Sequence, residues 1–285
     1  MPAAPESAPM RDLSQDHAWL AINTATVKSC SLEQVVEGCV RTGITAIAPW
    51  RDIVQACGAP KAGRVIGAAG LTVTCLCRGG MFPAADEAGR RAVLEDNRRA
   101  VDEANEIGAR CLVLVVGGLP PGSKDIAGAR AQVHDGIAAL LPYARSANMP
   151  LAIEPLHPMY APDRACVNTL AQANDLCDEL GEGVGITLDV YHVWWDSALA
   201  REIARAGSRI LTYHVCDWLV PTKDLLLDRG MMGDGVIELR RIRRMVEAAG
   251  YRGHCDVEIF SAHDWWKRDP NEVLRVCIER HKAFV

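Results

Sequence analysis

Four short apolar stretches of this chain each carry a side chain that can hold a cation or move a proton. VGITLDVYH brings Asp189, with His192 three residues later; LAIE ends on Glu154; RILTYHVCD carries His214; HCDVEIF carries Glu258. Val184, Ile186 and Leu188 occupy one phase of the first stretch, and Gly185, Thr187 and Asp189 the other. Leu151 and Ile153, then Leu211, Tyr213 and Val215, then Cys255, Val257 and Ile259 likewise fill the phase opposite the polar residue. Period-two alternation means strands, with an apolar face packed under helices and a polar face turned the other way. Polar residues at the ends of strands in separate units converge only if the strands curl into one closed barrel. Three carboxylates and an imidazole form a hard-to-borderline donor set. Without a cation, at least one carboxylate crowded into such a low-dielectric cup must stay protonated. Glu154, Asp189, His214 and Glu258 are therefore expected to bind one divalent metal ion: Mn²⁺ first, with Mg²⁺, Co²⁺ or Zn²⁺ as alternatives.

An ion flanked by carboxylates suits proton abstraction from a carbon beside a carbonyl, because it stabilises the developing enediolate. A carboxylate on each face of that planar intermediate can take a proton from one side and return it from the other. Return to the same carbon gives epimerisation, return to the neighbouring carbon isomerisation, and loss of a β-hydroxyl dehydration. Trp50 after the second strand and Arg78 in CRGG after the third fall on the same rim, where an indole offers a platform for a sugar's apolar face; rim packing is an equal alternative. His157 in EPLH stands close behind Glu154 and is a candidate for substrate contact. Trp194, Trp195, Trp265 and Trp266 either wall the pocket or form a subunit contact, and the second option points to a homo-oligomer.

The elements that must position these residues alternate along the chain. Strands are expected at WLAIN, ITAIAPW, LTVTCLCR, CLVLVV and then the four site-bearing stretches, with helices between them. Ser31 is the N-cap of the first helix, and a single helix is expected over about Gln55 to Ala69. A loop of about twenty residues from Cys216 to Gly235 is long enough to serve as a lid or binding loop. Eight βα units over residues 18–285 fit an α/β chain folded as a single (β/α)8 TIM barrel, whose chemistry sits at the C-terminal ends of the strands. The Pro- and Ala-rich residues 1–17 have no apolar h-region and read as a disordered leader, not a signal peptide.

Composition narrows the function further. A net charge of -5 with no Lys/Arg block argues against a nucleic-acid partner, and no run of about 18 apolar residues argues for a membrane span. Eleven cysteines, an odd number without a secretory signal, point to a reducing cytoplasm and to thiols acting as small buried hydrophobes. No GxGxxG or GxxxxGK[ST] follows a strand, so a nucleotide site has no support.

EPLHPMY, LDVYH with its D-x-x-H, HVCDW, DRGMMGDGVIEL and VEIF followed by a Trp pair resemble the xylose-isomerase-like superfamily of sugar-phosphate isomerases and epimerases, over essentially the whole chain from Trp19. The resemblance implies that Glu154, Asp189, His214 and Glu258 hold one divalent ion and that Glu154 and Glu258 are the acid/base pair. It also implies that His192 and the lid residue Arg229 hold oxygens of a sugar or cyclitol. Ketose 3-epimerases of the group usually carry Asn where His157 stands and Glu where Tyr160 stands; this chain looks more like the branches that include inosose isomerases and dehydratases. The expected function is a metal-dependent isomerase or epimerase of a ketose, keto-sugar or inosose. A lyase eliminating from a keto-inositol or 3-keto-glycoside is the alternative. An apurinic endonuclease would need more rim histidines and a basic face, and intact Glu154 and Glu258 argue against a non-catalytic barrel.

Overall fold

In the computed structural model, which describes residues 10–285, the eight strand positions close into a parallel ring. Residues 1–9 of the expected leader lie outside the described residues. The first strand is Leu20–Asn23, the second Ala46–Ala48 and the fourth Leu112–Val115. The fifth is Leu151–Ile153, the sixth Val184–Asp189, the seventh Ile210–Val215 and the eighth Cys255–Val257. The third strand comes in two pieces: Thr72–Val73 pairs with the second strand and Leu76–Gly80 with the fourth, so the chain itself closes the ring. Parallel strands buried on both faces need helical cover, and nine helices of seven residues or more supply it among the described residues.

Several expectations are corrected. The single helix expected over Gln55 to Ala69 is two, Arg51–Cys57 and Ala59–Ala68. Gly58, at φ +84° in the left-handed region, ends the first, and Pro60 opens the second. Leu211, expected on the outer face, packs into the barrel lumen instead: Ile186 pairs with Ile210 but Thr187 with Thr212, so one extra residue bulges between them. A Cβ on Gly185 would meet Leu211 Cγ at 2.6 Å, so the glycine makes room for the bulge. Arg11 and Leu13, placed in the disordered leader, are docked. The Arg11 guanidinium meets Glu247 at 3.0 Å and Leu13 is buried.

The core has two layers. One large cluster lies between strands and helices, and a small one of Ala48, Cys75, Cys77, Cys111, Val113 and Ala152 lies in the lumen. Nine of the eleven cysteines are buried and none is paired, as expected of small hydrophobes. The lumen side chains are small, so the larger polar groups at the strand ends stand on a filled floor. No helix among the described residues is long and apolar enough to cross a membrane.

Candidate metal centre and active-site cleft

Glu154 and Glu258 each sit one residue beyond a strand, yet their backbone amides still donate to the neighbouring strand, to Leu114 O and Val215 O at 3.1 Å. Asp189 is the last residue of the sixth strand and pairs in register with His214 of the seventh. These pairings turn all four side chains into the mouth of the ring, where one ligand atom from each lies within 4.8 Å of all the others. His214 Nδ1 stands 3.5 Å from Glu154 Oε1 and 3.6 Å from Glu258 Oε2. All four groups are buried, and Glu154 Oε1 and His214 Nδ1 have no hydrogen-bond partner. Buried polar atoms are rarely left so. Orphaned donor atoms of a carboxylate and an imidazole, converging with two further carboxylates, fit a divalent cation.

The oxygens of Asp189 and Glu258 are held. Asn23 Nδ2 and Trp50 Nε1 donate to Glu258 Oε1 at 2.9 and 3.1 Å. Arg229 Nη1 donates to Asp189 Oδ2 at 2.9 Å and Glu258 Oε2 at 3.2 Å, and Asp189 Oδ1 accepts from the Tyr191 amide at 2.8 Å. Arg229 is delivered by the loop after the seventh strand, where Asp217–Trp218 and Arg229–Gly230 form an antiparallel ribbon. Its guanidinium lies over Tyr191 at 4.4 Å and Phe260 at 5.1 Å. The lid is clamped at the Leu225 carbonyl, which accepts from the hydroxyls of Tyr160 and Tyr191. Tyr160, standing where the 3-epimerases carry Glu, is thus a lid anchor.

Burial and neighbouring charges divide the carboxylates. Burial pushes Glu154 up, reinforced by the charge of Glu258 and only partly offset by His214. Burial would also raise Glu258, but contacts with His214 and the charge of Arg229 outweigh it and bring that group down to about 2. Burial opposes a charge on His214, yet its contacts with Cys75, Glu154 and Glu258 win and raise it well above the ordinary value. Burial takes His192 down to about 3, so its ring is neutral; Nδ1 stands 3.2 Å from the His157 amide and Nε2 3.2 Å from Arg229 Nη2, so both ring nitrogens face donors, with Asp189 Oδ2 3.6 Å from Nε2.

Above the quartet opens a cleft of about 330 Å³. Of the residues singled out from the sequence, Trp50, Arg78, Glu154, His192, Arg229 and Glu258 line it, while Asp189 and His214 lie beneath. His157 is not among the lining residues; its ring stacks on Trp218 at 5.0 Å, on the far side of its own backbone contact with His192. None of Trp194, Trp195, Trp265 and Trp266 lines the cleft either: Trp265 is buried, and Trp266 donates to Ala25 O at 2.7 Å. Three contributors were missed. Asn23 was legible as the polar end of WLAIN. Asp256 shares the phase of Glu258, pairs in register with His214 and lies 3.7 Å from its Nε2, held by the hydroxyls of Thr212 and Thr74 at 2.7 and 2.9 Å. Arg164 comes from an irregular loop that gives no periodic signal.

A family model described as xylose isomerase-like TIM barrel matches residues 36–277. Among solved structures, protein SMc04130 from Sinorhizobium meliloti 1021 is 62% identical, with 93% of this chain and 98% of that one covered at a TM-score of 0.92. The IolI protein with a bound zinc atom is 18% identical, covering 93% and 99% at a TM-score of 0.76. The 3-keto-D-glucoside 4-epimerase YcjR from E. coli is 18% identical, covering 93% and 99% at 0.74. At 18% identity the last two show the shared fold alone. No curated protein sequence matches the chain.

Proposed function

The chain belongs to the xylose isomerase-like TIM barrel family, and from that premise we propose that it is a divalent-metal-dependent isomerase or epimerase of a ketose, keto-sugar or inosose, acting through an enediolate. One observation carries the reading: of the four converging groups, Glu154 and Glu258 also line the cleft. They therefore face both the cation position and any substrate seated above it. Glu154, Asp189, His214 and Glu258 would hold the ion, which when bound supplies Lewis-acid polarisation of a carbonyl. The zinc atom of the IolI protein and the epimerase activity in the name of YcjR are consistent with that chemistry in this fold.

The chain's own groups then divide the work. Glu258, fixed by Asn23, Trp50 and Arg229, is a carboxylate positioned to accept the carbon-bound proton. Glu154, which lines the same cleft, is the second carboxylate of the pair and can return that proton. His192 and Arg229 line the cleft where substrate oxygens would sit, and Trp50 and Phe260 wall it with apolar surface that excludes water.

The test is proton exchange. Protein loaded with Mn²⁺ is incubated in D₂O with ketoses, inososes and 3-keto-glycosides, and carbon-bound deuterium is followed by NMR. Deuterium together with a new stereocentre is expected for an epimerase; a new enone or released aglycone would replace this reading with a lyase. Glu258→Gln should lower exchange by at least about a hundredfold. Full exchange in that variant would exclude the two-carboxylate scheme.

A further inference from the structure

We propose that the cleft takes a substrate bearing an anionic substituent, a carboxylate or a phosphate, held by the guanidiniums of Arg78 and Arg164; this rests on the enediolate reading and names the substrate class for it. Arg78 forms part of the cleft wall and is largely buried, yet among the described residues no carboxylate or carbonyl accepts from its guanidinium. The other interior arginines are matched. Arg51 meets Asp96 and Glu103 at 2.8 and 2.6 Å, Arg229 meets Asp189 and Glu258, and Arg243 meets Glu247 at 3.0 Å. Burial pushes the Arg78 pKa down and the charge of Arg164 adds repulsion, offset in part by the charge of Glu154, which makes no ion pair with it.

Arg164 does little to neutralise itself. Its one carboxylate contact, with Asp163 at 3.7 Å, is solvent-exposed on both sides and correspondingly weak. Two guanidiniums therefore line one cleft, Arg78 without a hydrogen-bonded acceptor and Arg164 with a weak surface partner. A charge such as that of Arg78, fixed in a largely buried wall without an acceptor, is unfavourable unless an anion arrives. Neutral sugar hydroxyls would satisfy N–H groups but leave the charge. A carboxylate or phosphate matches both, and matches the planar fork in two-point geometry. Of the remaining lining, Met81, Val115, Leu156, Leu226 and Phe260 are apolar, Arg229 is already matched by Asp189 and Glu258, and Asp163 is the weak surface partner of Arg164. The carboxylates Glu154 and Glu258 occupy the floor, so the anionic end of a substrate is kept at the arginines and its carbonyl end at the quartet.

The experiment uses the full chain loaded with Mg²⁺ and titrated calorimetrically with inorganic phosphate and, separately, with acetate. Arg78→Met and Arg164→Met are each expected to weaken anion binding by about tenfold or more, while Arg78→Lys, which keeps a charge, loses less. Binding of phosphate alone assigns a phosphate, binding of acetate alone a carboxylate. Phosphate that binds equally well to Arg78→Met and Arg164→Met is held by the metal and overturns the proposal, as does no binding by the wild-type chain. Thermal unfolding of each variant confirms that it is folded. A second arm compares deuterium exchange into dihydroxyacetone and dihydroxyacetone phosphate. A preference of about tenfold for the phosphate ester, collapsing in Arg78→Met, supports a phosphate. Exchange into both without preference overturns a phosphate site and leaves the enediolate reading standing. Arginine-dependent anion binding without exchange into any keto-sugar does the reverse.

Discussion

Asp256 is the residue whose neighbourhood most directly constrains His214. It is wholly buried, it stands beside His214 in the pairing of the seventh and eighth strands, and two threonine hydroxyls hold the oxygen that faces His214 Nε2. An imidazole ligand needs its second nitrogen oriented, and a fixed carboxylate does this while raising the basicity of the first. Asp256→Asn keeps size and hydrogen-bonding capacity but removes the charge. It is expected to lower Mn²⁺ affinity by about 10- to 100-fold with the secondary structure intact, as read by metal titration and circular dichroism. Affinity within twofold of the wild type would show that Asp256 only fills space. Asp189, His214 and the two glutamates were legible because strand phase converts residue number into direction. Asp256 obeys the same phase, but a strand with two inward acids was read for the one nearer its end. His157 and Arg164 lie in the loop after the fifth strand, where no period relates number to direction: His157, a candidate for substrate contact, stacks on Trp218 outside the cleft lining, and Arg164, which lines it, gives no sequence signal.

The lid after the seventh strand shows how an element without a long strand or helix can still be rigid enough to aim a side chain. Asp217 stitches it: its Oδ1 accepts from the amides of Trp218 and Ile237, and its Oδ2 from that of Gly233, each at 2.9 Å. Gly235 permits the closure, since a Cβ there would meet Trp218 O at 2.1 Å. The length of this loop marked it as functional, but the ribbon inside it was invisible, because two-residue strands leave no alternation to read. The same holds for the bulge at Leu211, a single inserted residue that flips direction without changing composition. Asp217→Ala leaves three amides without their acceptor, that of Ile237 buried, and is expected to destabilise the lid by about 1–3 kcal/mol. Hydrogen exchange should then rise over residues 217–235 more than in the eight barrel strands. Equal protection in variant and wild type would mean that the tyrosine clamp at Leu225 suffices.

The barrel's stability should depend on pH through imidazoles that the fold keeps neutral, and His281 isolates that effect far from the cleft. It lies in the last helix, Pro270–Phe284, fully buried, with neither ring nitrogen hydrogen-bonded. Burial pushes it down to about 3, helped by the charges of Arg243, His17 and Arg11 and opposed only by Asp16. His254, at the opposite flank of the same docked N-terminal segment, is taken down to about 4 by burial and the charges of Arg110 and Arg11. The unfolded chain binds a proton at His281 near its ordinary value of 6.5, whereas the folded chain does not until about 3. As pH falls between those values the unfolded state therefore binds more protons, and the folded state loses about 1.4 kcal/mol per pH unit from this one group. Above pH 6.5 the group contributes no pH dependence. His281→Leu removes the titration and fills the space with an apolar side chain, so it should flatten the decline in unfolding free energy between pH 6.5 and 5 by nearly one proton's worth. Urea melts at pH 7.5 and 5 on both proteins measure it. An unchanged slope would mean that His281 reaches a partner or solvent in the folded chain, and that acid lability resides instead in His254 and in His192 at the cleft.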